Sequence, residues 1–140
     1  VYHSGLSSTS HYLKLNEENA EANGGTAVWY NTAPTSTHVT LGNNSDVNGN
    51  TEKYLMMLFA SVDGISKVGS YTGNGTSQTI TTGFQPRFLI IKKRNVSEHW
   101  WVLDTLRGWD SNDEDYLRLN ANNAEQSYEF GAPVSNGFIL

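Results

Sequence analysis

The fold turns on the stretch Trp100-Trp101-Val102-Leu103-Asp104-Thr105-Leu106. Read as extended chain, it places His99, Trp101 and Leu103 on one face and Trp100, Val102 and Asp104 on the other, so at least one of the adjacent tryptophans faces a core. Upstream, Phe88-Leu89-Ile90-Ile91-Lys92 is an apolar run of strand length; downstream, Tyr116-Leu117-Arg118-Leu119-Asn120 alternates again. Turn signals punctuate the rest of the chain: Asn23-Gly24-Gly25, Asn43-Asn44-Ser45-Asp46, Asn48-Gly49-Asn50, Asn74-Gly75 and Asn136-Gly137. Asn and Gly serve there because both accept the positive φ of tight hairpin turns. Strands are predicted at residues 12–16, 27–31, 38–41, 53–60, 66–72, 77–82, 88–93, 100–106, 116–120 and 137–140, with one helical turn over 16–22. The fold class is all-β: β-sandwich or jelly-roll-like units in tandem, with about ten short antiparallel strands.

Composition narrows the class further. Only 16% of the 140 residues are charged and 37% are hydrophobic, and Asn, Ser, Thr and Gly fill the difference. That mixture suits short strands and polar turns, whereas a helical bundle needs a surface of Lys, Glu and Ala. The absence of cysteine excludes a disulfide framework and a thiolate metal site. No run approaches the ~18 apolar residues of a membrane span, so no membrane insertion is expected. The longest run, Tyr54-Leu55-Met56-Met57-Leu58-Phe59-Ala60, has the length of a buried strand. Its Leu55, Met57 and Phe59 are expected in the core together with Phe88 and Ile90. A net charge of −5 gives no support to nucleic-acid binding.

The chain also repeats itself. Tyr12-Leu13-Lys14-Leu15-Asn16-Glu17-Glu18-Asn19-Ala20-Glu21 matches Tyr116-Leu117-Arg118-Leu119-Asn120-Ala121-Asn122-Asn123-Ala124-Glu125 at an offset of 104 residues (116 − 12). Ala33-Pro34-Thr35-Ser36 and Leu41 match Ala132-Pro133-Val134-Ser135 and Leu140 at an offset of 99 (132 − 33), and Val1 and Leu6 align with Val102 and Leu106. Matches in one order with small gaps indicate duplication, and a period near one hundred residues is that of a domain, not of a solenoid. Residues 1–66 then read as the later part of a first unit and residues 67–140 as the earlier part of a second. Both ends read as cut. Gly137–Leu140 is expected to be an apolar strand lacking its next partner, and Val1–Leu6 to lack a preceding one.

The word order carries a resemblance. Gly69-Ser70-Tyr71-Thr72-Gly73-Asn74-Gly75, then Gly83-Phe84-Gln85-Pro86-Arg87-Phe88-Leu89-Ile90-Ile91-Lys92, then Trp101-Val102-Leu103-Asp104-Thr105-Leu106-Arg107-Gly108 resemble a repeat domain of bacteriophage virion proteins. So do Val1-Tyr2-His3-Ser4-Gly5-Leu6, Asn31-Thr32-Ala33-Pro34-Thr35-Ser36 and Leu41-Gly42-Asn43-Asn44-Ser45-Asp46-Val47-Asn48-Gly49-Asn50-Thr51. Such repeats belong to tail-fibre-like proteins of marine and cyanobacterial phages. The resemblance implies a virion appendage and brings no catalytic residues with it.

Candidate sites are few. Trp100, Trp101 and Trp109 with Asp104 and Arg107 are the elements of a sugar-stacking platform: indole faces against pyranose rings, charged groups on the hydroxyls. The competing reading of these tryptophans is packing. Asp46, Asn48, Asn50 and Glu52 alternate oxygen ligands as a calcium loop does, though an Asn-rich turn explains them without a metal. Asp110, Asp113, Glu114 and Asp115 are an acidic group suited to a cation or to a solvated loop. Arg87, Lys92, Lys93 and Arg94 are the one basic cluster, fit to pair with carboxylates or, less simply, to take a polyanion. His3, His11, His38 and His99 lack metal-ligand spacing, and no Gly-x-Ser-x-Gly elbow is present. The sequons at Asn43, Asn74 and Asn95 follow from the abundance of Asn. No cofactor is expected; calcium at Asp46, Asn48, Asn50 and Glu52 is the alternative to the turn reading.

These readings converge on a non-catalytic structural module of a phage tail fibre or appendage, located on the virion and so extracellular. Its expected partners are a host cell-surface glycan and other copies of itself or other virion proteins. Two alternatives remain: a purely architectural capsid-decoration or filament subunit, and a tailspike-like glycan hydrolase using paired carboxylates.

Overall fold

A computed structural model describes residues 1–112 and 114–140. Its strands, in chain order, are β1 His11–Tyr12, β2 Ala22–Asn23, β3 Thr79–Thr81, β4 Phe88–Lys92, β5 Trp100–Asp104, β6 Glu114–Arg118, β7 Gln126–Tyr128, β8 Pro133–Val134 and β9 Gly137–Ile139. Every pairing among them is antiparallel, in three sheets ordered β1-β2, β3-β9-β8 and β4-β5-β6-β7. Helical structure among the described residues is limited to the turn Ser45–Asn48 and a 3-10 turn, Thr105–Arg107. The protein is therefore an all-β fold of several short strands. The chain divides into two compact units: Val1–Leu58 with Lys93–Glu98, and Phe59–Lys92 with His99–Leu140.

The second unit is organised by β5. Leu89 sits opposite Leu103 and Ile91 opposite Trp101, while Leu103 faces Tyr116 across to β6. Directly opposed residues share a face, so Leu89, Ile91, Trp101, Leu103 and Tyr116 line one side of the sheet. That side packs on Phe138 of β9, Ile80 of β3 and Trp109, making the core. Trp109 is 1% exposed and donates its indole N–H to the Gly131 carbonyl at 2.9 Å. Glycine is required at position 131 twice over: its φ is +93°, and a Cβ there would lie 2.1 Å from the Ile139 carbonyl oxygen.

In the first unit, β1 and β2 form a short hairpin beside Leu6, Leu13 and Val28, the buried apolar residues of this part. Gly42 donates to the Val28 carbonyl at 2.8 Å, and a Cβ on it would meet the Ala27 oxygen at 2.1 Å. Asn44 caps the turn Ser45–Asn48, its side chain accepting from the Asp46 amide. Residues 93–98 lie along the segment after β1: the Glu21 amide donates to the Arg94 carbonyl and the Glu98 amide to the Glu18 carbonyl.

The repeated sequence folds into a repeated register. Tyr12 pairs with Ala22 and Tyr116 with Gln126, so each residue of the second hairpin sits 104 positions after its counterpart. Val1 exchanges backbone hydrogen bonds with Leu13, as its counterpart Val102 pairs with Leu117. The shorter match behaves likewise: Thr35 donates to the His38 carbonyl at 2.9 Å, and Val134, 99 residues on, pairs with Gly137.

Several expectations are corrected. Residues 27–31, 38–41, 53–60 and 66–72 form no strand, and 16–22 form no helix; β2, β7 and β8 arise where none was predicted. Leu55, Met57 and Phe59 are 92%, 65% and 80% exposed. An apolar run reads as buried, but burial needs a neighbouring strand to satisfy its N–H and C=O groups, and residues 55–59 have none among the described hydrogen bonds. Phe88 and Ile90 are also exposed, because Leu103 selects the other face of β4. Finally, β9 is paired on both sides, by β3 and β8, so the partners expected to be missing beside Gly137–Leu140 lie within this chain.

Candidate functional site

The tryptophans of the proposed platform do not converge. Trp100 and Trp101 are consecutive in β5 and so lie on opposite faces of the sheet. Trp100 is buried, and Trp109 is sealed in the core against Phe138, their ring centroids 6.2 Å apart. Trp101 is half-buried. It meets Tyr116 and Phe130 at centroid distances of 4.8 and 5.1 Å, His99 at 6.0 Å, and carries the Arg118 guanidinium 5.3 Å from its ring centre. The charged members are occupied nearby. Asp104 caps the 3-10 turn through the Leu106 amide and pairs with Arg87 at 3.8 Å; Arg107 pairs with Glu125.

The other candidate groups are also engaged in local structure. In the Asn-rich loop, Asp46 and Asn48 belong to the turn Ser45–Asn48, and Asn48 donates to the Gly42 carbonyl. Among the described residues, no group of three or more His, Asp or Glu side chains is placed to hold a metal ion. Asn50 and Glu52 lie beyond that turn, both exposed. Of the acidic group, Asp113 falls outside the described residues. Glu114 is buried and accepts from the Phe130 amide, Asp115 accepts from the Ser127 hydroxyl at 2.6 Å, and Asp110 accepts from the Asn112 amide. In the basic cluster, Arg94 pairs with Glu21 and Lys93 with Glu98. The histidines have near neighbours: His3 accepts from the Gly5 amide, and His11, His38 and His99 bond to Ser8, Thr37 and Asn120.

Glu21 is the best-defined ionic site. Burial pushes its carboxyl up, but the Ser7 hydroxyl and amide and the Arg94 guanidinium outweigh it and hold the group below the ordinary carboxylate range. Its repeat counterpart, Glu125, also finds an arginine, Arg107, from a different element.

The structure adds one concave feature that the residue pattern does not announce. A hollow of about 380 Å³ is lined by Thr76, Ser77, Glu129, Phe130, Ile139 and Leu140, among others. Its volume is at the small end of ligand sites. Phe130 is the ring shared by Trp101, Tyr116 and Tyr128 and brings an apolar surface to the hollow, while Glu129, Thr76 and Ser77 bring hydrogen-bonding groups. The signal was present in Tyr128-Glu129-Phe130-Gly131, where aromatics flank a carboxylate ahead of a glycine, but no spacing rule marks such a set.

Fold and site together define an antiparallel β protein carrying an internally repeated hairpin. The chain matches the family described as Domain of unknown function (DUF7483) over residues 1–140, and belongs to it. No curated protein and no solved structure matches it. No helix among the described residues is long and apolar enough to cross a membrane.

Proposed function

We propose that this chain is a non-catalytic structural repeat module of a bacteriophage tail-fibre-like appendage, acting in assembly. The observation that carries this reading is the pairing register shared by two hairpins 104 residues apart. A duplicated unit that keeps its pairing scheme is a reused building block, since register fixes which side chains each face presents. The likeness of the word order to phage virion repeats supplies the setting. The use of Trp100 and Trp109 for packing favours architecture over recognition at the predicted platform. Immunogold electron microscopy of virions from a phage encoding this chain tests the proposal: gold on the tail appendages is the expected result, and unlabelled virions would sink it.

A second reading, binding of a host-surface glycan, is favoured by the hollow beside Phe130. An aromatic ring flanked by a carboxylate and hydroxyls is suited to a pyranose. A glycan array with the wild-type chain and Phe130→Ala checks it, with binding that Phe130→Ala abolishes as the expected outcome.

A further inference from the structure

An asparagine that precedes a glycine can modify itself, because glycine has no side chain to keep its amide nitrogen away from the asparagine Cγ. The chain carries this pair four times: Asn23-Gly24, Asn48-Gly49, Asn74-Gly75 and Asn136-Gly137. The fold restrains three of them. Gly24 donates its amide to the Ser10 carbonyl at 2.9 Å, and Gly49 donates its own to the Tyr54 hydroxyl at 2.7 Å. Gly137 is held in β9 between Thr81 and Val134. At the remaining pair the Gly75 amide makes no hydrogen bond among the described residues, and Asn74 and Gly75 are both exposed. A Cβ built on Gly75 would meet nothing within 4 Å, so no neighbour crowds this turn.

The Asn74 side chain is also prepared for attack. Its Oδ1 accepts from the Thr76 amide at 2.9 Å and from the Thr76 hydroxyl at 3.1 Å. That oxygen takes up negative charge when a nitrogen adds to Cγ, and donors already aimed at it stabilise the charge as it develops. The restrained pairs are less well placed. At Asn23 the Gly25 amide reaches Oδ1, but the Gly24 nitrogen is engaged elsewhere. At Asn48 the side-chain nitrogen, which would have to leave, is tied to the Gly42 carbonyl at 2.8 Å.

We propose that Asn74-Gly75 is a self-modifying site, at which the side-chain amide is lost through a cyclic imide and replaced by a carboxylate. In the first step a bond forms between the Gly75 nitrogen and the Asn74 Cγ, and the Cγ–Nδ2 bond breaks. The Gly75 amide proton ends on Nδ2, which departs as ammonia. In the second step water adds its hydroxyl to one of the two ring carbonyls and its remaining proton to the ring nitrogen. Opening at Cγ leaves an aspartate; opening at the backbone carbonyl leaves an isoaspartate, with the chain running through Cγ. Solvent supplies the water and the base, and Thr76 supplies the two donors. Either product places a carboxylate directly before Gly75, Thr76 and Ser77, which line the hollow together with Glu129. The surroundings of the hollow thereby gain a negative charge after the chain has folded.

Peptide mapping by mass spectrometry of the whole 140-residue chain, aged in mildly alkaline buffer, tests this, with circular dichroism to check that each variant is folded. Asn74 is expected to convert at least roughly threefold faster than each other Asn-Gly pair, the factor that one backbone hydrogen bond on the attacking amide imposes. In urea, where those bonds are gone, the four rates are expected to draw together. Thr76→Val, which removes the hydroxyl donor, is expected to slow conversion at Asn74 several-fold in the folded chain and to leave it unchanged in urea. Thr76→Ser keeps the hydroxyl and is expected to restore the wild-type rate. A different pair converting first in the folded chain, a lead for Asn74 that urea leaves undiminished, or a Thr76→Val chain that ages like wild type would each overturn the proposal.

Discussion

The hairpin around Tyr12 and the hairpin around Tyr116 share a register and differ in what they bury. In the first, Leu13 is 6% exposed and Tyr12 is half-buried; in the second, Tyr116 is 7% exposed and Leu117 is half-buried. The inward position has moved by one residue, although the backbone partners correspond one to one. Pairing register is local, set by the chain between the strands, whereas burial is decided by what lies across the face. A duplicated sequence inherits the first property and must reacquire the second from its own surroundings.

The largest expected effect tests that crossover at the tyrosines. Tyr116→Ala removes a ring packed on Trp101 and Phe130 and a hydroxyl bonded to Gln126, and should cost about 3–5 kcal/mol. Tyr12→Ala should cost clearly less. Urea denaturation of both variants is the check, and equal losses would erase the difference between the hairpins. At the leucines the order should reverse: Leu13→Ala is expected to lose about 2–5 kcal/mol and Leu117→Ala a smaller amount. A larger loss at Leu117 would show that the two faces are not exchanged.

The smallest effect concerns the matched glutamates. The Glu21 side chain is 8% exposed in its pair with Arg94, whereas that of Glu125 is 36% exposed in its pair with Arg107. Glu21→Gln should cost about 1.5–3 kcal/mol at neutral pH, as hydrogen bonds to a charged group do. Glu125→Gln should cost under about 1 kcal/mol. Because the folded Glu21 carboxyl lies below its unfolded value, its contribution is complete above the unfolded value and is lost as pH falls through the folded one. Stability curves of wild type and Glu21→Gln should therefore converge on acidification, and a gap that persists at low pH would assign the loss to packing instead.

What could be read from the residues follows the same division between local and distant causes. The two faces of Trp100–Asp104 were legible because alternation is a local property, and the repeat marked the segments at Tyr12 and Tyr116 as counterparts without showing the strand that each pairs with or which of their residues face inward. The inward face of Phe88-Leu89-Ile90-Ile91 was not, since four apolar residues in a row suit either side until Leu103 is placed beside Leu89. Gln126–Tyr128 and Pro133–Val134 carry no strand pattern and become strands by pairing with β6 and β9. Residues 55–59 were misread because apolarity records a demand for cover without showing what supplies it. At the candidate site, Trp109 offered an indole that proved to be interior, while the ring that reaches the hollow, Phe130, stood without a motif.

The common register of the two hairpins also bears on how the chain reaches its native state. Repeat proteins characteristically misassemble by exchanging equivalent elements between neighbours. Here backbone pairing cannot tell the copies apart, because Ala22 and Gln126 occupy the same rung relative to Tyr12 and Tyr116. The side chains can. A first hairpin threaded into the second unit would present Leu13 and Tyr12 with their inward and outward roles reversed, and would bring Glu21 to Arg107 in place of Arg94. Such an exchange would therefore cost the burial and the ion pair that each hairpin has in its own unit, which disfavours it.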